Sequence, residues 1–521
     1  MQQLAPARAP SPDTETFRLR GFVERLRAAG ELEVVDGPTP LMAVAQRLDG
    51  NPKAVLFRNV GPERAELVGN VMGGGERIGL AFGMTRAEVS RAVAQRIREP
   101  QPVVEIASSA APVHQVVLTG DRIDLTRLPI HLQHAMDGGP YISSAIDYSV
   151  DPETGHRNAG IRRLMLRGPR ETGVDMVSPS DFQAIYRKAA AKQERLPVSF
   201  VVGAHPTDFI AAALRVPGDE LALVAAMRGQ ALPVVRCATN DLLVPADAEM
   251  VLEGYLDGRG WYEEEGPYGE VLGYYGVMKR NPVFCVTALC MRRDALFQTV
   301  TISGRRLDRT DTGHIGTVRT EVGAWNALRT AVREPVAVHV TASSGGMFNI
   351  RVALRQRVPG EARNAIAALF GALENIKHVF VVDDDIDVTS DGEIDWALST
   401  RFQADRDLVV ADGFRAIPLD PSLDGRRTGA KAGFDLTLPL GSRDRLDLTV
   451  PEPPRASAGA RRAAGIVEAL AAGPLFFGDI VTALGSDDGR EVVRALDELR
   501  RAGRLRRTED GRYALADGAT S

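Results

Sequence analysis

The stretch NPVFCVTALCMRR, residues 281–293, is a short β-rich run that begins at a Pro turn and ends in two arginines. Similar runs recur between about residues 113 and 300, and turn residues separate most of them. The other runs are HQVVLTG (114–120), ISSAIDYSVD (142–151), RRLMLRG (162–168), LPVSFVVGAHP (196–206) and LPVVRCATNDLLVP (232–245). We therefore predict a β-barrel or strongly bent sheet over residues 113–300, interrupted by helical insertions. One insertion covers residues 178–193, where Ser178 or Ser180 could cap a helix.

Helix-like and strand-like segments alternate on both sides of this region. Residues 15–112 predict an N-terminal α/β domain that begins with an amphipathic helix. Residues 301–335 predict a linking helix, and residues 336–450 predict a second α/β domain. The acidic run DDDIDVTSDGEI (383–394) lacks the glycine that a calcium loop requires at its sixth position, so it indicates a strand end and a turn.

The two ends of the chain differ from the regions between them. Residues 1–14 are rich in Pro and Ala without an apolar core, which predicts a disordered leader rather than a signal peptide. Residues 460–517 read as three helices and a hairpin, a pattern typical of a winged helix. Residues 455–521 carry 11 Arg and no Lys against 10 Asp and Glu, a net charge of only +1. Nucleic-acid-binding domains show a clearer basic face, so protein contact is the interpretation we favour.

The composition excludes several classes of protein. The chain has 521 residues, too many for one core, and a net charge of −5, which implies no general attraction to nucleic acid or anionic membranes. Its three cysteines, Cys237, Cys285 and Cys290, have a spacing that fits neither a disulfide framework nor a thiolate zinc site. A reducing cytoplasm is the expected compartment. No run approaches the roughly 18 apolar residues of a membrane span.

The stretch EEEGPYGE, residues 263–270, concentrates four carboxylates around a Gly-Pro turn. Pro267 restricts the backbone, whereas Gly266 and Gly269 allow unusual backbone angles. A loop with these constraints could direct Glu265 and Glu270 at one point. The alternative is an ordinary solvated loop.

A second polar stretch is NAGIRRLML, residues 158–166. The side chain of Asn158 offers a carbonyl oxygen that suits a hard metal ion. Arg163 offers a planar group that binds carboxylates in pairs, so it could organise Glu265 and Glu270 or bind an acidic substrate. Two carboxyls beside one arginine can acquire different proton affinities, which leaves one of them able to act as an acid at neutral pH. A turn asparagine and a surface arginine are the alternative.

Across roughly residues 15–450 the sequence resembles the UbiD family of reversible decarboxylases, which use prenylated FMN. The resemblance rests on ordered motifs: NAGIRR (158–163), the run from Val216 to Leu256, EEEGPYGEVLGYYG (263–276), DTGHIG (311–316), VVDDDIDV (381–388), WALSTRF (396–402) and GAKAGFDLT (429–437). It implies a multidomain α+β fold whose central domain is a split β-barrel like that of flavin reductases. It also implies a flavin prenyltransferase as supplier of the cofactor and at least a homodimer. The tail module lies outside it.

The resemblance also implies which residues hold the cofactor. Asn158 and Glu220 match ligands of a divalent metal, Mn²⁺ or Mg²⁺, that binds the cofactor phosphate, and K⁺ is a further candidate ion. The third ligand position, a histidine in ferulate and cinnamate members, corresponds to Asp181. Aspartate is also a hard oxygen ligand, although Asp181 could instead cap a helix. Lys431 matches a phosphate contact, with a solvated lysine as the alternative.

Arg163, Glu265 and Glu270 match the Glu-Arg-Glu catalytic network of the family, with Arg163 also beside the cofactor. The resemblance implies that prenylated FMN acts as the electron sink and that Glu270 protonates the carbon that loses carbon dioxide. His314 and Ile315 fall where the family lines its substrate pocket.

Because cinnamate-type members are apolar at position 314, His314 favours an aromatic or heteroaromatic acid. The alternative is a histidine that caps a helix or lies behind the pocket wall. An α,β-unsaturated acid is the alternative, and a metabolite-sensing DNA-binding protein is a less favoured third hypothesis.

Overall fold

The structure is a computed structural model that describes residues 13–177, 179–442, 445–454 and 462–516. Most of the predicted leader, Ser178 and residues 455–461 before the tail module lie outside these residues. The chain divides into two compact units, Met1–Thr437 and Leu438–Ser521.

The N-terminal region of the first unit is a four-stranded sheet with helices. Its elements are α1 (Leu19–Ala28), β1 (Leu32–Val35), α2 (Leu41–Leu48), β2 (Ala54–Val60), β3 (Ala65–Gly69), α3 (Gly75–Phe82) and α4 (Arg86–Arg96). In α1 the buried residues are Leu19, Phe22, Val23 and Leu26, the spacing of one helix face. The fourth strand of the sheet comes from residues 297–299, which pair in parallel with β3. This pairing anchors the region to the end of the central domain.

The central region contains a closed barrel. Its elements are β4 (Val103–Glu105), β5 (Val116–Thr119), β6 (Tyr141–Val150), β7 (Arg157–Leu166), β8 (Glu171–Val174), α5 (Asp181–Ala191), β9 (Leu196–Val202), α6 (Pro206–Ala213), α7 (Glu220–Arg228), β10 (Leu232–Arg236), β11 (Leu243–Pro245), β12 (Met250–Leu256), β13 (Glu263–Glu265), β14 (Tyr268–Gly269), β15 (Tyr275–Gly276), β16 (Lys279–Asn281), β17 (Val283–Met291) and β18 (Phe297–Thr299). Six strands close the ring in the order β12-β9-β6-β7-β8-β17, with β17 pairing back to β12. The predicted barrel is confirmed.

Short strands surround the barrel and position the loops at its rim. β5 extends the sheet beyond β17, while β11, β10 and β4 form a separate three-stranded sheet. β13 pairs with β16 and β14 with β15, so the acidic stretch is held as two small ribbons. Ser180 caps α5, because its hydroxyl accepts a hydrogen bond of 3.2 Å from the backbone N–H of Gln183.

The C-terminal region of the first unit is a second α/β layer. Its elements are α8 (Asp311–Ala331), β19 (Pro335–Val340), β20 (Asn349–Leu354), α9 (Glu361–Ala372), β21 (His378–Asp383), α10 (Asp391–Arg401), α11 (Ala404–Asp407), β22 (Leu408–Arg415) and β23 (Thr428–Leu436). The sheet order is β19-β20-β21-β23-β22, with β20, β21 and β23 parallel. The acidic run 383–394 forms the end of β21, a turn and the start of α10, as predicted. Among the described residues, no helix has both the length and the apolar character needed to cross a bilayer.

The second unit consists of three helices followed by a hairpin. Its elements are α12 (Ile466–Ala471), α13 (Phe477–Leu484), α14 (Arg490–Arg501), β24 (Leu505–Arg507) and β25 (Tyr513–Leu515). The helices bury one small apolar core, formed by Ile466, Leu470, Ile480, Val492, Leu496 and Leu499. β24 and β25 pair antiparallel.

Candidate active site

Arg163, on β7, brings the two predicted carboxylates together. Its Nη1 and Nη2 donate to Oε2 and Oε1 of Glu270 at 3.0 and 3.1 Å, a two-pronged arrangement. Its Nε lies 3.5 Å from Oε1 of Glu265. The three side chains therefore meet, although about 100 residues separate the arginine from the acids.

The backbone of the acidic stretch explains this convergence. Glu265 ends β13, and Gly266 then adopts a φ of +96°, a conformation that favours glycine. At position 269 a Cβ atom would lie 2.5 Å from the His134 ring, so only glycine fits there. Between these two glycines the ring of Tyr268 lies under the Arg163 guanidinium, 4.4 Å from its centre.

Three further polar residues, which were not identified from the sequence, complete the network. Asp175 Oδ2 lies 2.9 Å from Nη2 of Arg163. Lys279 donates to Oε1 of Glu270 at 3.0 Å, and the side-chain amide of Asn281 donates to Glu265. Lys279 and Asn281 lie two positions apart on β16, so they share one face of the strand that pairs with the acidic β13. A positive charge directly across the strands from Glu265 is the signal that would have found Lys279, whereas the uncharged Asn281 gives no such signal.

The environment separates the proton affinities of these groups. Burial raises the pKa of Glu265, whose side chain is 1% exposed, and Arg163 only partly offsets this effect. Burial also acts to raise the pKa of Asp175, but Arg163 and Lys279 outweigh it, so this pKa lies below its usual range. Arg163 stays charged, because the surrounding carboxylates raise its pKa against the effect of burial.

The residues predicted to bind metal line one cavity of about 1300 Å³. Asn158, Asp181 and Glu220 all lie on its wall. The amide nitrogen of Asn158 donates to Asp147 at 2.6 Å, which leaves the amide oxygen as a free acceptor. Asp181 is not the cap of α5, since Ser180 has that role, and its carboxylate is exposed to the cavity.

Glu220, the first residue of α7, shows the effect of like charges in this wall. Burial raises its pKa to about 7, and the neighbouring carboxylates of Asp147 and Asp181 raise it further. The backbone N–H of Ala159 donates to Glu220 and acts in the opposite direction. Two carboxylates and an amide oxygen are the donor set that a hard divalent cation prefers.

A smaller cavity of about 270 Å³ adjoins the larger one. Arg163, Asp175 and Glu270 lie on its wall. Several residues line both cavities: Ile161, Arg162, Pro179, Ser180, Arg215, Val271 and Thr312. The Glu-Arg-Glu network therefore faces a space that is continuous with the wall carrying Asn158 and Glu220.

The structure places Ile315 on the wall of the larger cavity, but not His314. The motif DTGHIG forms the first turns of α8, where consecutive residues point about 100° apart. His314 Nε2 instead bonds the carbonyl of Asp308 at 3.0 Å, and burial lowers the pKa of His314 to about 4. His314 therefore lies outside the walls of both cavities, and its contact with a ligand stays a prediction.

Lys431 also lies outside the cavity walls. Its ammonium donates to the carbonyl oxygens of Phe370 and Leu373, both at 2.8 Å, at the C-terminal end of α9. The side chain is buried there, and it lines neither of the two cavities. Carbonyl groups at a helix end already bind the charge of Lys431, and its contact with the cofactor phosphate stays a prediction.

Comparison with known protein families matches three family models along the first unit. They describe the N-terminal domain (residues 23–97), the Rift-related domain (104–306) and the C-terminal domain (313–436) of 3-octaprenyl-4-hydroxybenzoate carboxy-lyase. The matches end at residue 436, so they do not include the tail module.

Curated relatives include two anhydromevalonate phosphate decarboxylases. The protein of Methanosarcina mazei is 30% identical over 437 residues, which is 83% of this chain and 98% of the relative. The protein of Aeropyrum pernix is 37% identical over 315 residues, 60% of this chain and 70% of the relative.

Solved structures of similar fold include the UbiD-class enzyme HmfF from Pelotomaculum thermopropionicum in complex with FMN. It has a TM-score of 0.79 and 30% identity, covering 84% of this chain and 97% of HmfF. An evolved dimeric form of HmfF in complex with prenylated FMN gives a TM-score of 0.76 at 29% identity, covering 84% and 97% of the two chains. Vanillic acid decarboxylase of Sedimentibacter hydroxybenzoicus has a TM-score of 0.77 at 25% identity, covering 84% and 96%. The resemblance that the motifs indicated is confirmed: this chain belongs to the UbiD family of carboxy-lyases.

Proposed function

We propose that this chain catalyses the reversible, non-oxidative decarboxylation of a carboxylic acid with prenylated FMN as cofactor. The observation that carries the proposal is the contact of Arg163 with both Glu265 and Glu270 beside the cavity. The complexes of HmfF with FMN and with prenylated FMN support this choice of cofactor.

The residues of the larger cavity suit a flavin nucleotide and its metal ion. A volume of about 1300 Å³ exceeds that of typical small-ligand sites. Asn158, Asp181 and Glu220 would hold Mn²⁺ or Mg²⁺, and a divalent cation would offset the like charges that raise the pKa of Glu220. When bound, prenylated FMN supplies an electron sink for the carbon that loses carbon dioxide.

The chain's own residues would control the proton. Glu270 would donate its proton to the carbon from which carbon dioxide has left. The carboxylate that remains accepts hydrogen bonds from Arg163 and Lys279, so its negative charge is stabilised where it forms. Glu265, whose pKa is raised by burial, would hold a proton and leave the charge of Arg163 for Glu270 and Asp175.

The experiment that tests the cofactor assignment needs no substrate. The protein is produced together with a flavin prenyltransferase, and bound flavin and Mn²⁺ are measured in the purified wild type and in Asn158→Ala. We expect the variant to lose both, since Asn158 is a shared ligand. Asn364→Ala, an exposed asparagine on α9, is the matched control and should lose neither. Equal flavin and metal contents in wild type and Asn158→Ala would contradict the assignment.

The residues that line the cavities support a different order of candidate substrates. The expectation of an aromatic acid rested on His314, which does not line the cavity. Arg215 lines both cavities, and Arg319 lines the larger one without an ion pair to any described residue. These guanidinium groups suit an acid that carries a second anionic group, such as the anhydromevalonate phosphate for which the M. mazei and A. pernix relatives are named. We therefore place a phosphorylated α,β-unsaturated acid first.

An aromatic acid is the second candidate, supported by the structural similarity to vanillic acid decarboxylase. Arg215→Ala separates the two. Loss of a charged hydrogen bond of about 1.5–3 kcal/mol lowers kcat/KM roughly 10- to 100-fold for a phosphorylated acid. The change should leave kcat/KM for vanillate or the unphosphorylated acid unaffected. Arg329→Ala, an exposed arginine on α8, is the control. Carbon dioxide release from vanillate alone would favour the aromatic candidate.

We further propose that the second unit is a winged helix that contacts protein rather than DNA. Its three helices and hairpin support the first part, and the net charge of +1 over residues 455–521 supports the second. The M. mazei relative aligns over 98% of its own length with 83% of this chain, so the module is an addition to the catalytic body. The expected homo-oligomer is consistent with the evolved dimeric form known for HmfF.

A further inference from the structure

A second group of metal-binding side chains lies apart from the catalytic residues. It consists of His114, Cys237, Glu253 and Cys290, which we name the thiol–imidazole cluster. His114 ends the short turn 112–114, Cys237 follows β10, Glu253 lies on β12 and Cys290 lies on β17. None of the four lines the two cavities of the active site.

Three donor atoms of this cluster converge on one point. Cys290 Sγ lies 3.2 Å from Oε1 of Glu253, and His114 Nε2 lies 3.9 Å from the same oxygen. All three donor atoms lie within 4.8 Å of one another. Zinc–ligand bonds of about 2.0–2.3 Å at the tetrahedral angle place ligand atoms about 3.3–3.8 Å apart. The two separations from Oε1 of Glu253, 3.2 Å to Cys290 Sγ and 3.9 Å to His114 Nε2, are close to this range.

The histidine supplies an independent sign of a missing partner. The His114 side chain is 2% exposed, and within the described residues its Nε2 has no hydrogen-bond partner. Its other nitrogen, Nδ1, bonds the hydroxyl of Ser108 at 2.8 Å, which fixes the ring orientation. A metal-binding histidine commonly has this arrangement, with one nitrogen held by a neighbour and the other directed at the ion.

The charge of Glu253 points in the same direction. Its side chain is fully buried, and its only ion-pair partner within the described part of the chain is His114. The carboxylate accepts hydrogen bonds from the backbone N–H groups of Ala238 and Thr239, at 2.9 and 2.7 Å, and from the Thr239 hydroxyl at 2.8 Å. No Lys or Arg among the described residues forms an ion pair with it. A divalent cation would provide the charge that a buried carboxylate requires.

We propose that His114, Glu253 and Cys290, with Cys237 as fourth ligand, form a structural binding site for a thiophilic divalent cation such as zinc. The Cys237 thiol lies 3.3 Å from the Ser199 hydroxyl, against the same part of β12. The ion would link β12 and β17 of the barrel to the segment after β10 and to the turn 112–114. Because the ligands come from four separate segments, the spacing of the cysteines alone does not predict the site.

Cobalt substitution in the full-length protein tests this proposal. Cobalt bound to thiolate gives a charge-transfer band and intense tetrahedral bands, whereas cobalt on oxygen ligands such as Asn158 and Glu220 gives neither. We expect the wild type to develop these bands with one equivalent of cobalt, and zinc to abolish them. Glu220→Gln should keep the bands, since it alters only the predicted oxygen-ligand site.

The three cysteines provide matched variants. Cys290→Ser and Cys237→Ser should lose or weaken the thiolate band, whereas Cys285→Ser, on the same strand β17, should keep it. The wild-type spectrum does not depend on whether a variant folds. Absence of the band in the wild type with excess cobalt overturns the proposal, as does an unchanged band in Cys290→Ser.

Discussion

The substitution Glu270→Gln tests the assigned proton donor most directly. It keeps the shape of the side chain but removes the proton that the carboxyl group would give. In the structure the Glu270 carboxylate accepts two hydrogen bonds from Arg163, at 3.0 and 3.1 Å, and one from Lys279 at 3.0 Å. A glutamine can accept only at its amide oxygen, so one of these contacts must be lost.

Two magnitudes follow from this geometry. General acid catalysis typically raises a reaction rate by a factor of about 10²–10⁴, so the turnover number should fall by about this factor. This loss corresponds to about 3–5 kcal/mol of transition-state stabilisation. Stability should change less, because one lost hydrogen bond to a charged group is worth about 1.5–3 kcal/mol and the glutamine keeps part of the pairing. Flavin and metal contents should not change, since Glu270 does not line the larger cavity.

The assay is the initial rate of carbon dioxide release per bound flavin, measured on protein that carries the cofactor. Glu264→Gln is the matched control: it changes a neighbouring glutamate of the same acidic stretch whose side chain is exposed. We expect Glu264→Gln to behave as wild type. Wild-type turnover in Glu270→Gln would refute the assignment of Glu270 as donor, and loss of bound flavin would indicate a structural role instead.

Four other outcomes are expected. Asp175→Asn should lower turnover about tenfold with flavin retained, because Arg163 loses a carboxylate that fixes its position; an unchanged rate would contradict this. Burial raises the pKa of Glu265 above 4.5, the ordinary pKa of a glutamate. The contribution of Glu265 to the free energy of unfolding is therefore fully present below pH 4.5 and is lost as the pH rises. Urea unfolding should therefore show the stability of wild type relative to Glu265→Gln decreasing from pH 4.5 toward neutral, and a constant difference would contradict it. Lys431→Met should leave the flavin content unchanged, because the Lys431 ammonium binds carbonyl oxygens at a helix end. Loss of flavin in this variant would instead support a contact between Lys431 and the cofactor phosphate. Deletion of residues 455–521 should preserve turnover per flavin, and an inactive, folded truncation would show that the module takes part in catalysis.

Local patterns were sufficient to predict the barrel, but not how the N-terminal sheet is completed. Each barrel strand is a separate β-rich run bounded by turn residues, so the runs can be identified one at a time. The strand β18 gives the same local signal, yet it pairs with β3, more than 200 residues earlier in the chain. Such a parallel pairing depends on tertiary packing and leaves no mark in the neighbouring sequence.

The site shows the same limit at the level of single residues. Arg163 and the acidic stretch were identified because their charges and glycines are concentrated in short motifs. Asp175 is a single acid after β8, and nothing near it indicates that it contacts Arg163. The position of His314 outside the cavity wall could have been predicted, because Thr312, Ile315 and Arg319 have the spacing of one helix face, to which position 314 does not belong.

A count of charges explains why the carboxylates of the catalytic network need one proton. Glu265, Glu270 and Asp175 contribute three negative charges, while Arg163 and Lys279 contribute two positive ones. Buried charges are stable only when they are paired, so the network is balanced when one carboxyl is protonated. Burial raises the pKa of Glu265, which makes it the resting place of that proton. For Glu270 to protonate the substrate carbon, this proton must pass from Glu265 to Glu270, which both contact Arg163.

The same count applied around Glu220 gives a different result. The charges that act on it are Asp147, Asp181 and Arg162, so three carboxylates face a single guanidinium. The excess of two negative charges equals the charge of one divalent cation. Protons could balance it only in part at neutral pH, because the pKa of Glu220 is about 7. The binding of Mn²⁺ to this wall should therefore release a proton, and the number released should fall as the pH rises above 7. A proton release that does not depend on pH would show that the ion binds elsewhere.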